Sequence, residues 1–187
     1  MTITVVALTP KIVAYCCRQE GIGREAYKDS AGVWTWAGGI ATTSGFDVLQ
    51  YKDKPRPLDV CLRATIDLMK ARYWPVVQSV FEGHVLSEVQ YAAALSFQWH
   101  FGKLRQADWV ETWLAGDHAK AREEFMQWTD HGRALERAKT ERAMFFDGEW
   151  PADLRVPVYS VAKPSYQPTK PVMTDVLPMV QQILGGA

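Results

Sequence analysis

The chain has 187 residues, 48% of them hydrophobic, which is enough for one domain with a sizeable core and leaves little room for a second independent domain. Its 21 Lys and Arg balance 21 Asp and Glu, so no net basic field draws it onto nucleic acid or anionic lipid. Of the three cysteines, Cys16 and Cys17 are adjacent and cannot easily pair, and Cys61 stands alone, so the pattern gives neither a disulfide framework nor a metal site and reads as cytosolic and reduced.

The apolar start, Ile3 to Leu8, is broken by Thr4, with no basic residue before it and no small-residue cleavage site after it, so no secretory signal is expected. No run approaches the roughly 18 apolar residues that a membrane helix needs. Thr9-Pro10 reads as a helix start, N-cap and first helical position, with Ile12, Val13, Cys16 and Cys17 following at helical spacing. Gly21 or Gly23 should end that helix. Glu20 then falls in its last turn, where the macrodipole makes a negative charge mildly unfavourable.

From Ala26 to Gly45, aromatic and β-branched residues are broken by Ser30-Ala31-Gly32, Gly38-Gly39 and Ser44-Gly45, a pattern of two or three short antiparallel strands with tight turns. Beyond Pro55 and Pro57, Leu58, Cys61, Leu62, Thr65, Ile66, Leu68 and Met69 recur at helical spacing, with a kink expected near Pro75. Leu86-Ser87-Glu88 opens a helix that is apolar nearly all round from Tyr91 to Phe97, as a central core helix should be. Shorter helices are expected around Trp109 to Leu114, His118 to Trp128 and Arg133 to Phe146. Residues 151–187 hold six of the ten prolines and read as an extended linker. It ends in one apolar helical face, Val176, Leu177, Val180, Ile183 and Leu184, expected to dock or to bind a partner. The lack of any basic residue after Lys170 disfavours membrane anchoring. The division expected is a domain over 1–150 followed by this appendage, whose deletion should leave the domain folded and active.

A glycosidase needs one carboxyl to protonate the leaving oxygen and a second to activate water or attack the sugar. Glu20 and Asp29 are candidates, since a helix end followed by a hairpin can return the chain across one site. Thr35 can hold the water, because a hydroxyl accepts one hydrogen bond while donating another. Singly, each residue reads first as structural: Glu20 as a solvated helix end, Asp29 as a turn residue and Thr35 as a strand residue.

The combination is more specific. Glu20-Gly21, Ala26-Tyr27-Lys28-Asp29, Gly32-Val33-Trp34-Thr35 and Gly38-Gly39 together resemble the signature of tailed-bacteriophage lysozymes, the endolysin muramidases of glycoside hydrolase family 24. The likeness extends over about 9–150, through Leu86 to Tyr91, Ala94 to Phe97, Gly102, Phe125 to Trp128 and Arg137 to Glu141. It implies an α+β, mainly helical fold, in which a small N-terminal lobe with a β-hairpin is joined by a long helix to a helical C-terminal lobe. It also implies Glu20 as the acid, Asp29 and Thr35 as holders of the attacking water, and inversion at the sugar. The substrate implied is the β-1,4 bond between N-acetylmuramic acid and N-acetylglucosamine in peptidoglycan glycan strands, cut by a monomer without metal or organic cofactor. The enzyme would collect in the host cytoplasm and depend on a holin-type membrane permeabiliser.

Two departures stand out. Ala37 and Ile40 replace the family's usual glycine and histidine in the hairpin, and His100 stands where the central helix usually carries Asn. His100 reads either as a sugar-binding donor or as a hydrogen-bonded structural histidine. His84, His118 and His131 read as surface residues without metal-ligand spacing. Of the eight tryptophans, Trp99, Trp109, Trp113 and Trp128 are expected in packing and Trp36 as a sugar platform. Arg137 is expected either to pair with Glu20 or to stay with Glu136 or Glu141. Other readings are a non-catalytic wall-binding or virion structural protein with this fold, for which Ala37 and Ile40 leave room, and a lytic transglycosylase, which needs no water-holding aspartate.

Overall fold

The computed structural model describes residues 7–186, so Ile3 to Val6 of the apolar start lie outside the described residues. The fold is mixed α+β and divides into two compact units: the chain up to Leu68 together with the chain from Leu154 onward, and a continuous second unit, Met69–Asp153. Among the described residues no helix is long and apolar enough to cross a membrane.

In the first unit, helix α1 (Pro10–Glu20) starts where Thr9 Oγ1 accepts the Ile12 N–H at 3.3 Å and stops at Gly21, whose φ of 71° no longer continues the helix. Ile12 to Cys17, which together cover every side of the helix, are all buried. Strand β1 (Ile22–Lys28) follows at once, four residues earlier than the aromatic pattern suggests, and runs antiparallel to β2 (Trp34–Ala37), which pairs with β3 (Ile40–Ala41). Helix α2 (Leu58–Leu68) packs against β1 and β2.

The proline-rich segment is not a free linker. It supplies strand β4 (Val156–Tyr159), parallel to β1, and β5 (Val172–Thr174), antiparallel to β4, giving a five-stranded sheet in the order β3-β2-β1-β4-β5. Pro157 has no N–H to give a ladder. The pairing with β1 begins one residue later, at Ile22 with Val158, so β1 asks no donor of it. Helix α8 (Leu177–Gly185) then packs on α1 and α2 with Val180 and Ile183 buried. The apolar face therefore lies inside the first unit, and the compact division falls after Leu68 and before Leu154.

Helical structure resumes after α2 with a π turn, Met69–Tyr73, followed by α3 (Trp74–Val80). Pro75 is the cause: it cannot donate to the carbonyl four residues back, and its ring crowds that turn, so the ladder widens just before it. Helix α4 (Glu88–Phe101) has a capping box, with the Ser87 side chain and Gln90 satisfying each other's orphan backbone groups, and is buried nearly all round from Tyr91 to Gln98. Helices α5 (Asp108–Leu114), α6 (His118–Phe125) and α7 (Leu135–Asp147) complete the second unit. Its centre is aromatic: Trp109 packs on Phe125 and Phe145 at centroid separations of 4.8 and 4.9 Å, and Phe97 on Trp109 at 5.4 Å. Tilted and edge-on rings of this kind add about 0.5–1.5 kcal/mol per pair beyond area burial. Trp99, Trp113 and Trp128 are half-buried in the same manner, against Tyr73, Phe81 and Phe97.

Candidate functional site

Glu20 is the last residue of α1 and is half-buried. Its negative form reaches two weak acids: it adds to burial in pushing the Cys17 thiol up to about 12, and it adds to burial in raising the Tyr27 phenol above its ordinary range. Tyr27 also feels Asp29 and, more weakly, Tyr159. One buried phenol thus lies in the field of both candidate carboxylates, and it stays protonated throughout the working range of a protein.

Asp29 sits at the β1–β2 turn. Its backbone N–H donates to Val33 O at 3.0 Å, and its Oδ1 accepts the N–H groups of Ala31 and Val33, both at 2.9 Å. The turn-residue reading of Asp29 is therefore correct for one oxygen. The other, Oδ2, lies 3.4 Å from Thr35 Oγ1. The Thr35 hydroxyl also reaches Val33 O at 3.2 Å, and with a single proton it donates to only one of these at a time. Thr35 pairs directly across the hairpin with Tyr27. Strand alternation puts Tyr27, Asp29 and Thr35 on one face, with Lys28 and Trp34 on the other.

Trp36 does not offer a sugar platform. It is 4% exposed, and its ring stacks on Tyr51 at a centroid distance of 3.6 Å and 14° between planes, so it belongs to the core of the first unit. The adjacent hairpin explains one glycine. Gly38 N donates to Thr65 Oγ1 of α2 at 3.0 Å, and a Cβ at Gly38 would come within 2.6 Å of Thr65 Cγ2, so only glycine allows this approach. Ala37, where the family's lysozymes usually have glycine, takes φ +50°.

A left-handed backbone costs a non-glycine residue about 1–2 kcal/mol. Against that stand the wholly buried Ala37 methyl, worth about 0.8 kcal/mol, and the extra unfolded-state entropy that glycine brings, about 0.4–1 kcal/mol. Ala37→Gly is therefore expected to move stability by less than about 1 kcal/mol in urea unfolding. A loss above about 2 kcal/mol would show that the methyl contact outweighs the backbone strain.

In the second unit, Arg137 is half-buried on α7 and donates to Glu141 Oε1 at 2.8 Å and to Ser96 O and Oγ at 2.8 and 2.9 Å, while Ser96 Oγ donates to Glu141. The network ties α7 to α4 in a site where Glu141 is 1% exposed. Glu141→Ala removes the carboxylate at which both partners point, and should cost about 3–5 kcal/mol in thermal or urea unfolding. A cost under 1 kcal/mol would make the network incidental. His100 is exposed in the last turn of α4, its ring edge-on to Phe101 at 4.6 Å and its charge felt by Asp130.

The sequence stopped short of Tyr27 and Tyr159. Tyr27 was legible in principle, since it stands two residues before Asp29 on the same strand. Tyr159 lies about 130 residues further along the chain in a segment that reads as linker. Cys16, Cys17 and Cys61 are free and buried, and among the described residues no cluster of three His, Cys, Asp or Glu side chains is placed to hold a metal.

Chemically, a carboxyl at a helix end with an aspartate whose free oxygen shares a threonine hydroxyl suits glycoside hydrolysis, where proton donation and water activation fall to two different groups. The family comparison agrees with this class. A family model described as phage lysozyme matches residues 17–143, well over half of the chain, and the chain belongs to the phage lysozyme family of lysozyme-type peptidoglycan hydrolases. The match spans Glu20, Asp29, Thr35, Trp36, His100 and Arg137. Among curated proteins nothing matches significantly.

Solved structures share the fold. An endolysin from Escherichia coli O157:H7 phage FAHEc1 is similar at 17% identity and TM-score 0.61, covering 79% of this chain and 98% of that one. A mutant of P22 lysozyme is similar at 19% identity and TM-score 0.61, covering 75% and 99%. The muramidase domain of SpmX from Asticaccaulis excentricus is similar at 15% identity and TM-score 0.59, covering 74% and 97%. At these identities the likeness is one of fold.

Proposed function

We propose that the chain is an endolysin that, as a monomer, hydrolyses the β-1,4 bond between N-acetylmuramic acid and N-acetylglucosamine in bacterial peptidoglycan. The observation that carries this reading is the division of labour in Asp29: Oδ1 is pinned by two backbone N–H groups, while Oδ2 stays beside the Thr35 hydroxyl. A water held between Oδ2 and Thr35 loses its proton toward the carboxylate as it attacks the anomeric carbon. Glu20 gives its proton to the departing sugar oxygen. Attack by water in a single displacement inverts the anomeric centre, and it requires the two carboxyls to stand about 6.5–9.5 Å apart with substrate bound.

Arg137 and His100 in this reading bind the glycan strand, His100 as a donor to the sugar. Arg137→Gln should raise KM more than it lowers kcat, and an unchanged KM removes the first. His100→Ala should raise KM with little change in kcat, and an unchanged KM removes the second.

The deciding experiment is clearing of permeabilised Gram-negative cells, with NMR of the fresh products. Inverted reducing ends are expected. Retention excludes the single displacement, anhydro-muramic ends would make the enzyme a lytic transglycosylase, and no clearing at all would leave a non-catalytic wall-binding or virion protein. For host lysis, the protein collects in the host cytoplasm and needs a holin-type permeabiliser. Cells expressing it alone should stay intact until the membrane is opened, and spontaneous lysis would overturn that dependence.

A further inference from the structure

The segment from Leu154 onward lies beyond the residues that the phage lysozyme family model matches, yet it is folded into the unit that carries Glu20, Asp29 and Thr35. Two of its tyrosines meet the two halves of that site. On the Glu20 side, β4 lies along the first residues of β1, Ile22 with Val158 and Gly23 with Tyr159. The Tyr159 ring fills the space beside Gly21, where a Cβ would come within 2.4 Å of its Cε2. Gly21 is the residue that ends α1 and fixes the direction in which Glu20 leaves the helix.

On the Asp29 side, Tyr166 O accepts the Lys28 N–H at 2.7 Å, and the Tyr166 ring stands edge-on to Trp34 at 5.0 Å. Lys28 and Trp34 are a cross-strand pair, and they flank the turn that holds Asp29 and lead into Thr35. The loop is itself fastened: Tyr166 Oη donates to Asp53, and Lys163 bridges Glu25 and Asp53 at 2.8 and 2.6 Å.

We propose that the C-terminal segment is a positioning element for catalysis, in which the Tyr159 ring sets the exit of Glu20 from α1 and Tyr166 sets the hairpin that carries Asp29 and Thr35. The proposal rests on the assignment of those three residues above. Neither tyrosine touches substrate. The Tyr159 ring holds Gly21 beside Glu20, and the Tyr166 ring, braced on Trp34, keeps the Tyr166 carbonyl on the Lys28 N–H beside Asp29, so loss of either ring displaces a carboxyl by a fraction of an ångström or more and is felt in turnover before it is felt in binding.

The test uses the full chain and measures kcat and KM on soluble peptidoglycan fragments, with circular dichroism and a melting curve for every variant. Tyr159→Ala and Tyr166→Ala are each expected to lower kcat about 10-fold to 100-fold, as sub-ångström to ångström misplacement does, at near-constant KM and at a temperature where the variant is fully folded. Tyr159→Phe keeps the ring that lies against Gly21 and should restore kcat to within about twofold of the parent. Val172→Thr, on the exposed edge of β5, should leave both constants unchanged.

If Tyr159→Ala does not fold, Tyr159→Leu, which retains bulk without a flat ring, carries the same measurement. Wild-type kcat in the folded alanine or leucine variants overturns the proposal, as does a loss that appears only in KM or only in step with the unfolded fraction. Glu20→Gln separates the two levels: if it retains activity, the site assignment fails, whereas an inactive Glu20→Gln beside fully active tyrosine variants overturns the positioning role alone.

Discussion

Glu20→Gln should lower turnover on peptidoglycan by about 10²–10⁴-fold, the range that a positioned general acid contributes, while far-ultraviolet dichroism and the urea midpoint stay close to those of the parent. The amide keeps the volume and polar shape of the carboxyl at the end of α1 but has no acidic proton for the leaving oxygen. Because the side chain is half-buried at a helix C-terminus, where the dipole disfavours a negative charge, a neutral amide is tolerated there. The neighbouring acids give a second readout. Glu20 raises both Cys17 and Tyr27, so in the variant both should titrate lower than in the parent, though burial, the larger cause for each, keeps them above their ordinary values. Near-parental lysis by a folded Glu20→Gln would remove Glu20 from the mechanism.

Deleting residues 152–187 should unfold the first unit, the reverse of what the proline-rich sequence suggests. The deletion takes away β4 and β5 and strips α1 and α2 of α8. It also removes Val156, Val161, Val176, Val180 and Ile183, each at most 9% exposed. At about 1.5–3 kcal/mol for each side chain buried, that loss is comparable with the whole stability of a typical domain, about 5–15 kcal/mol. The expected result is a truncated chain whose melting curve keeps a cooperative transition from the second unit alone and which has lost hydrolysis. A deletion variant that melts like the parent and cleaves peptidoglycan would show that the segment is an accessory after all.

The parts of the fold that were legible are those whose signals are local. Thr9-Pro10 and Gly21 bracket α1, and Ser87 with Gln90 opens α4, because caps satisfy backbone groups within one turn and so leave a mark in neighbouring residues. Pro75 marks the π turn for the same reason. The Asp29–Thr35 pairing was readable because the turn between them is short. What could not be read depends on partners far apart in the chain. Val156 to Tyr159 form a strand only because Ile22 and Gly23 lie beside them, and nothing near Pro157 announces it. Trp36 was misplaced because its burial is decided by Tyr51, fifteen residues on, whose ring covers its face.

The parallel pairing of β4 with β1 also sets an order of events during synthesis. The second unit is one continuous run, Met69–Asp153, and can fold as soon as it has cleared the ribosome. The first unit must wait, because α1 and the hairpin have no β4 beside them and no α8 across them until the chain past Ile183 has emerged. At about 5–20 residues per second, Glu20 and the hairpin spend roughly 7–30 seconds in a nascent chain whose sheet lacks two of its five strands. A chain cut short by a premature stop anywhere before β4 would carry Glu20, Asp29 and Thr35 in sequence and lack the frame that holds them, so on the proposed assignment the site is completed by the synthesis of residues 156–183 and not by that of its own residues.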